Sequence, residues 1–384
     1  MTSLPMTSAM VAALGLAGIA FQASAAELPP TIAWTAYDVG GHGYNQAIGI
    51  GSALKQHAGV TLRVLPGKND VSRLAPLRDD KVQFASTGIG SIQAFEGAEV
   101  FGRREWGPQP VRVVAMANGT VCAAVMAAGD AGITSVEDLR GKRVAWIKGG
   151  SANNHVVSTI LAFGGLTWDD VVKVELGGYA GAHDAVINGQ VDVAQGATTT
   201  GGAAKLAASP RGIFWPPQPH DDEAGWERLL AVSPFMGKHK CAEGAGITTP
   251  FDSVTYPYPV LLAYAESDDD LAYAMAKALQ DYLPYYKDSV TGLDGWALDR
   301  QILDWVIPIH DGVIRYLKEE GRWTPALQEH QDGLLERGRL LAETWQAFVA
   351  EAPSDEAEFQ SGWMAARADA LDGANLLPIW RTWE

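Results

Sequence analysis

One order of elements occurs twice in this chain, and that repetition limits the folds open to it. Thr31 to Ala36 reads as a strand, Gly40-Gly41-His42-Gly43 as a loop, and Tyr44 to Gln56 as a helix with Ala47, Ile48, Ile50 and Leu54 near one face. Thr61 to Leu65, Asp70 to Leu77 and Val82 to Ser86 continue as strand, helix and strand. The order then recurs. Arg143 to Ile147 is a strand that meets a loop at Gly149-Gly150, and a helix follows through Val156, Val157, Ile160 and Leu161. Val172 to Leu176, Gly181 to Ile187 and Val191 to Ala194 complete it. Gly41 and Gly150 stand 109 residues apart, as do Val82 and Val191. Strands alternating with helices form parallel sheets covered on both faces. Two such units predict two similar α/β lobes.

In α/β sheets a ligand binds beyond the carboxyl ends of the strands. Four loops fall at such ends: Gly40-Gly41, Thr87-Gly88, Gly149-Gly150 and Gln195-Gly196. Two lobes with these ends facing each other enclose a cleft and close on a ligand by a hinge. We expect residues 27–120 and 238–325 in the first lobe, 121–237 in the second, and 326–384 as a C-terminal helix and tail. Pro325 opens that helix, and Trp363, Trp380 and Trp383 of the tail are expected to dock on the body. Ser267 is read as the cap of a helix over 271–283, with Asp268, Asp269 and Asp270 in its first turn rather than in a calcium loop.

The 384 residues are 47% hydrophobic and 19% charged, which suits a folded chain with large cores. The formal net charge of −16 and the lack of any basic cluster exclude a nucleic-acid-binding surface. Met10 to Phe21 is apolar and Ala23-Ser24-Ala25-Ala26 offers small residues for cleavage, so residues 1–26 read as an export signal cut near Ala25-Ala26, although no Lys or Arg precedes Lys55. The expected location is the periplasm. The two cysteines, Cys122 and Cys241, could form a disulfide there or remain buried thiols.

KGGSANNHVV, residues 148–157, resembles a phosphate loop at first sight. It lacks the Gly-Lys-Ser/Thr ending, because Lys148 precedes the glycines. No GxSxG elbow, HExxH helix or zinc-spaced ligand set occurs either. The chain is therefore read as a non-enzyme with no cofactor and no metal. Ser151 is read as an N-cap with Asn153 and Asn154 in the first turn, where free N–H groups could hold a carboxylate. Tyr44 opens the corresponding helix of the first lobe and could donate a phenolic hydrogen bond or simply pack.

Four stretches resemble the solute-binding receptors of TRAP transporters, TAXI branch. Gly40-Gly41-His42-Gly43-Tyr44 is similar to that family's glycine–tyrosine loop, and Thr134 to Val144 (TSVEDLRGKRV) to its S-x-x-D-L-x-G-K-x-V segment. The stretch at 148–157 lies where the family has a Gly-Ser-Gly-Thr helix start, with Ala152-Asn153 in place of the Gly-Thr. Ile307 to Tyr316 (IPIHDGVIRY) resembles its P-x-H-x-G-A-x-R-Y signature, in which His310 and Arg315 are expected to serve the fold. The resemblance implies a type II periplasmic-binding-protein fold. It also implies a monomer that captures a small organic anion and delivers it to TRAP permease membrane subunits. The ligand set expected on this basis is Gly41, Tyr44, Thr87, Gly88, Trp146, Gly150, Ser151, Asn153, Asn154, Tyr179 and Gln195. A sensor presenting its ligand to a membrane signalling protein, or an enzyme on the same fold, are the alternatives.

Overall fold

The computed structural model describes residues 1, 27–119, 122–381 and 383. The export signal expected over 1–26 lies outside the described residues apart from Met1. In chain order the first unit contains β1 (Thr31–Ala36), α1 (His42–Ala58), β2 (Thr61–Pro66), α2 (Asp70–Arg78), β3 (Phe84–Thr87), α3 (Gly90–Glu96) and β4 (Val111–Met116). The second contains β5 (Ala123–Ala128), β6 (Arg143–Ile147), α4 (Ser151–Phe163), β7 (Val172–Leu176), α5 (Tyr179–Ile187), β8 (Val193–Ala197), α6 (Gly201–Ala208), β9 (Ile213–Phe214) and α7 (Glu223–Val232). There follow β10 (Gly237–Cys241), β11 (Phe251–Thr255), β12 (Val260–Tyr264), α8 (Asp269–Asp281), α9 (Leu283–Tyr286), α10 (Asp311–Glu319), α11 (Pro325–Glu351) and α12 (Glu356–Gly373).

The two five-stranded sheets share one plan. The first has the order β2-β1-β3-β12-β4 and the second β7-β6-β8-β5-β9. In each, three parallel strands are followed by one antiparallel strand contributed by a segment that has just crossed between the lobes. The fold is therefore two-lobed α/β with a hinge of two crossings, a cleft between the lobes and a C-terminal helical extension. The repeat seen in the sequence is structural: Gly41 and Gly150 are the N-caps of α1 and α4, and β3 and β8 begin 109 residues apart.

The return crossing and the cap of α8 need correction, and the alternative left open for the two cysteines is resolved. The return crossing was placed at residue 238. Instead β10 and β11 form an antiparallel hairpin that stays with the second lobe: Ala245 N–H donates to Thr198 O, and Trp215 Nε1 donates to Ala245 O. The chain regains the first sheet only through residues 256–259. Cys122 and Cys241 are disulfide-bonded, which ties this hairpin to the start of the second lobe. The cap of α8 is Asp268, whose carboxylate accepts from Leu271 N–H at 2.8 Å, and not Ser267.

The family-like segments have structural roles. Asp138 Oδ2 accepts from the backbone and hydroxyl of Thr134, each at 2.8 Å, and these hydrogen bonds hold its carboxyl below the usual range. His310 caps α10 by accepting from Gly312 N–H at 3.2 Å, and Arg315 pairs with Asp270 at 2.6 Å.

The extension is an antiparallel helical hairpin, α11 and α12, joined to the first lobe by a buried cluster. Glu96, at the end of α3, accepts from Arg337 Nε at 2.6 Å and also pairs with Arg367. Trp363 is fully buried and donates to Gly97 O at 2.6 Å. The tail then reaches the second lobe, where Trp380 Nε1 donates to His155 Nδ1 on α4 at 2.8 Å. This bond leaves the ring proton on Nε2, where it meets Ser233 Oγ at 2.7 Å.

Burial of His155 lowers its pKa to about 3, and burial of His42 lowers that ring to about 4. The unfolded chain takes up these protons near pH 6.5 while the folded chain refuses them. Folding stability should therefore fall as pH drops from about 6.5 toward 4, and stay flat above 7 as far as these rings are concerned. Melting curves across that window check this. His155→Gln should shallow the slope, and an unchanged slope would remove His155 from the account.

Candidate cleft site

Beyond the carboxyl ends of the parallel strands, the two lobes meet around a group of tyrosines. Tyr37 immediately follows β1, while Tyr256 and Tyr258 lie on the return crossing. Tyr37 and Tyr258 pack edge to face at 5.1 Å, and Tyr256 and Tyr258 at 5.9 Å. His42, on α1, stacks on Tyr258 at 6.0 Å. Tyr179, at the first turn of α5 in the other lobe, packs on His183 at 4.2 Å and is close enough to Tyr256 and Tyr258 to raise the pKa of both. Burial is the larger cause of the rise in all four phenols, and Tyr179 reaches about 12. All four remain protonated at neutral pH.

Glycines make the room. A Cβ on Gly43 would lie 2.3 Å from the Tyr37 ring, so this glycine in the first turn of α1 accommodates an aromatic face. A Cβ on Gly88 would stand 3.1 Å from Tyr256 Oη, 3.1 Å from the Tyr258 ring and 3.2 Å from Tyr37 Oη. Gly88 is thus the floor on which three phenols converge. Gly88→Val would push a branched side chain into this space, and we expect at least about a tenfold loss of ligand affinity by calorimetry.

Arg73, on α2, lies over the Tyr37 ring at 4.3 Å and pairs with Asp70 at 2.6 Å. Its Nη1 donates to Gly67 O at 3.0 Å, but its buried Nε has no partner. Thr87 Oγ1, Gln93 Nε2 and Thr198 Oγ1 are likewise buried without a partner. Thr87, Gln93 and Thr198 are fully buried, and Arg73 is 6% exposed. Buried polar groups are normally hydrogen-bonded; of these, Thr87 ends β3, Thr198 follows β8, and Arg73 and Gln93 lie on α2 and α3, the helices before and after β3.

Cross-lobe contacts close the wall. Ser151 Oγ donates to Gln93 Oε1 at 3.2 Å, and Thr199 Oγ1 meets His42 Nδ1 at 3.3 Å. Ser151 is the first residue of α4 and not its cap; Gly150 is the cap and uses no side chain. That reading is corrected, and the serine hydroxyl is free to reach across the cleft because it has no capping bond to make. Asn153 donates to Gln195 Oε1 at 2.8 Å within the second lobe. Asn154 is buried, and its amide brackets Ile147 N–H and C=O at 2.9 and 3.0 Å, which fastens the helix to β6. Trp146 packs on Trp168 at 4.8 Å and under Lys173 Nζ at 4.0 Å, beside the edge strand β7. Tyr44 packs half-buried on the core, and Gly41 starts α1.

Of the residues singled out from sequence, Gly88 and Tyr179 lie among the tyrosines with Thr87 beside Gly88 in the chain, Ser151 reaches across to the first lobe, and Asn153 and Gln195 bond to each other within the second. Tyr37, His42, Asp70, Arg73, Gln93, Thr198, Tyr256 and Tyr258 were missed. The one available signal was Tyr256-Pro-Tyr258-Pro, an aromatic pair held stiff on a crossing segment.

No group of three or more His, Cys, Asp or Glu suited to a metal occurs among the described residues, and no helix among them is long and apolar enough to cross a membrane. The chain is similar to the periplasmic aliphatic sulphonate-binding protein SsuA of Escherichia coli, with 15% identity over 93% of this chain and 92% of that one and a TM-score of 0.40. It is also similar to Rpa4515 of R. palustris with adipate, with 14% identity, coverage of 82% and 96%, and a TM-score of 0.47. The alkanesulfonate-binding SsuA of Xanthomonas axonopodis pv. citri, bound to MOPS, shows 18% identity, coverage of 93% and 97%, and a TM-score of 0.37. Residues 36–321, which span both lobes and the cleft between them, match the model of the NMT1-like family, and the chain belongs to that family.

Proposed function

We propose that this protein is an exported, periplasmic receptor that closes its two lobes on a small organic anion, carboxylate or amino-acid-like, and delivers it to a TRAP-type membrane permease. The observation that carries this reading is the set of buried, unpartnered polar groups on and around β3 and β8: Arg73 Nε, Thr87 Oγ1, Gln93 Nε2 and Thr198 Oγ1. A buried donor without an acceptor costs about 1–3 kcal/mol. A ligand supplying acceptors recovers that cost and draws the lobes together. Membership of the NMT1-like family and the two-crossing hinge support the same reading. The TRAP assignment rests on the sequence resemblance at residues 134–144 and 307–316. Delivery to a permease requires only that the closed form differ in shape from the open one, which a hinge provides.

Adding a small-molecule extract of the exporting host should change tryptophan fluorescence and raise the melting temperature. A spectrum and a melting curve that ignore the extract would count against capture. Transport is tested separately, by reconstituting the receptor with its permease and following sodium-dependent uptake; ligand binding without uptake would sink the TRAP assignment alone.

A further inference from the structure

The charges around the tyrosines narrow the ligand. Arg73 and Asp70 are charged side chains that act on Tyr37, Tyr256 and Tyr258, and they are paired with each other at 2.6 Å. His42 and His183 are held neutral by burial. Lys148, at the end of β6, is paired with Glu175 at 2.8 Å. The site therefore offers hydrogen bonds in quantity but no uncompensated positive charge from these groups.

An ionised carboxylate has about four acceptor sites. Arg73 Nε–H and Thr87 O–H can supply donors from the first lobe, with Gln93 Nε2–H beside the cross-lobe bond to Ser151. The Nε–H of Arg73 is a guanidinium donor, so the hydrogen bond it would give one carboxylate is charge-assisted. A second carboxylate would have to lose its water against phenol rings with no cation left to meet it, and an unpaired buried charge is strongly disfavoured. The aromatic faces of Tyr258, Tyr256, Tyr179 and His42 instead suit an apolar or flat body.

We infer that this cleft selects acids with a single carboxylate on an apolar or aromatic body and discriminates against dicarboxylates of the same skeleton. The inference rests on the capture reading above and specifies its ligand class.

Isothermal titration calorimetry with matched pairs tests it: benzoate against terephthalate, and hexanoate against adipate, at pH 7.5. Each monoacid is expected to bind at least about tenfold tighter than its diacid. Arg73→Lys keeps the charge beside Asp70 but removes the Nε donor. It should weaken the monoacids by about tenfold or more while leaving the diacids as weak as before. Diacids that bind as well as or better than the monoacids would overturn the selection and leave capture standing. Unchanged monoacid affinity in Arg73→Lys would also overturn it. If none of the four acids binds and native mass spectrometry finds no retained small molecule, both the selection and capture itself fall.

Discussion

Replacing Glu96 with alanine is expected to destabilise the protein by about 3–5 kcal/mol, the usual cost of removing one partner from a buried ion cluster. The Glu96 side chain is 1% exposed and that of Arg367 is 0% exposed. With the carboxylate gone, the guanidiniums of Arg337 and Arg367 would face each other in the interior with no counter-charge. Burial already lowers the pKa of Arg367, and Glu96 opposes that shift. Arg367 also donates to Glu96 O at 2.9 Å and to Ile379 O and Trp380 O at 2.8 Å each, so its displacement would release the segment that carries Trp380. Urea unfolding measures the loss. Hydrogen exchange should show α11 and α12 opening before the lobes do. A change below about 1 kcal/mol, the size typical of ordinary substitutions, would mean that the cluster does not hold the extension.

The second large effect concerns Cys122 and Cys241, which lie 119 residues apart in sequence. Chain-entropy reasoning for a loop of about 100 residues assigns such a bond roughly 4–5 kcal/mol, with 2–4 more typical in practice. The bond fastens the β10–β11 hairpin to the residue that precedes β5, so its loss releases the hairpin from the start of the second lobe. Cys122→Ser with Cys241→Ser should lower the stability of the second lobe by about 2–4 kcal/mol, and reductant should do the same to the native protein but nothing further to the double variant. Equal melting temperatures with and without reductant would show that the bond contributes little.

Much of the lobe architecture was legible because it is written in local periodicity. The glycines that cap α1 and α4 and the starts of β3 and β8 keep a constant spacing. The hairpin was misassigned because strand pairing is non-local, and nothing in residues 237–255 says which sheet they join. Helix α12 escaped notice for a different reason. Phe359, Trp363, Arg367 and Leu371 are its buried face at four-residue spacing, and a buried arginine in that series interrupts the apolar stripe by which a helix is recognised.

The site was half legible. Of the glycine loops at strand ends, the one at Gly88 lies where the tyrosines converge. The tyrosines did not stand out, because aromatic residues in isolation read as core. Tyr37 gains meaning only when the return crossing brings Tyr256 and Tyr258 beside it. Asn154 and Trp146 show the converse: residues beside a functional-looking loop whose side chains are engaged by Ile147, Trp168 and Lys173.

Native mass spectrometry of the wild-type protein and Gly88→Val, both purified without dialysis from the exporting host, reads the cleft most directly. The expected result is a small molecule retained by the wild type and missing from the variant, with both chains folded. An adduct held equally by both, or none on the wild type even after incubation with host extract, would contradict ligand capture at the meeting point of Tyr37, Tyr256 and Tyr258.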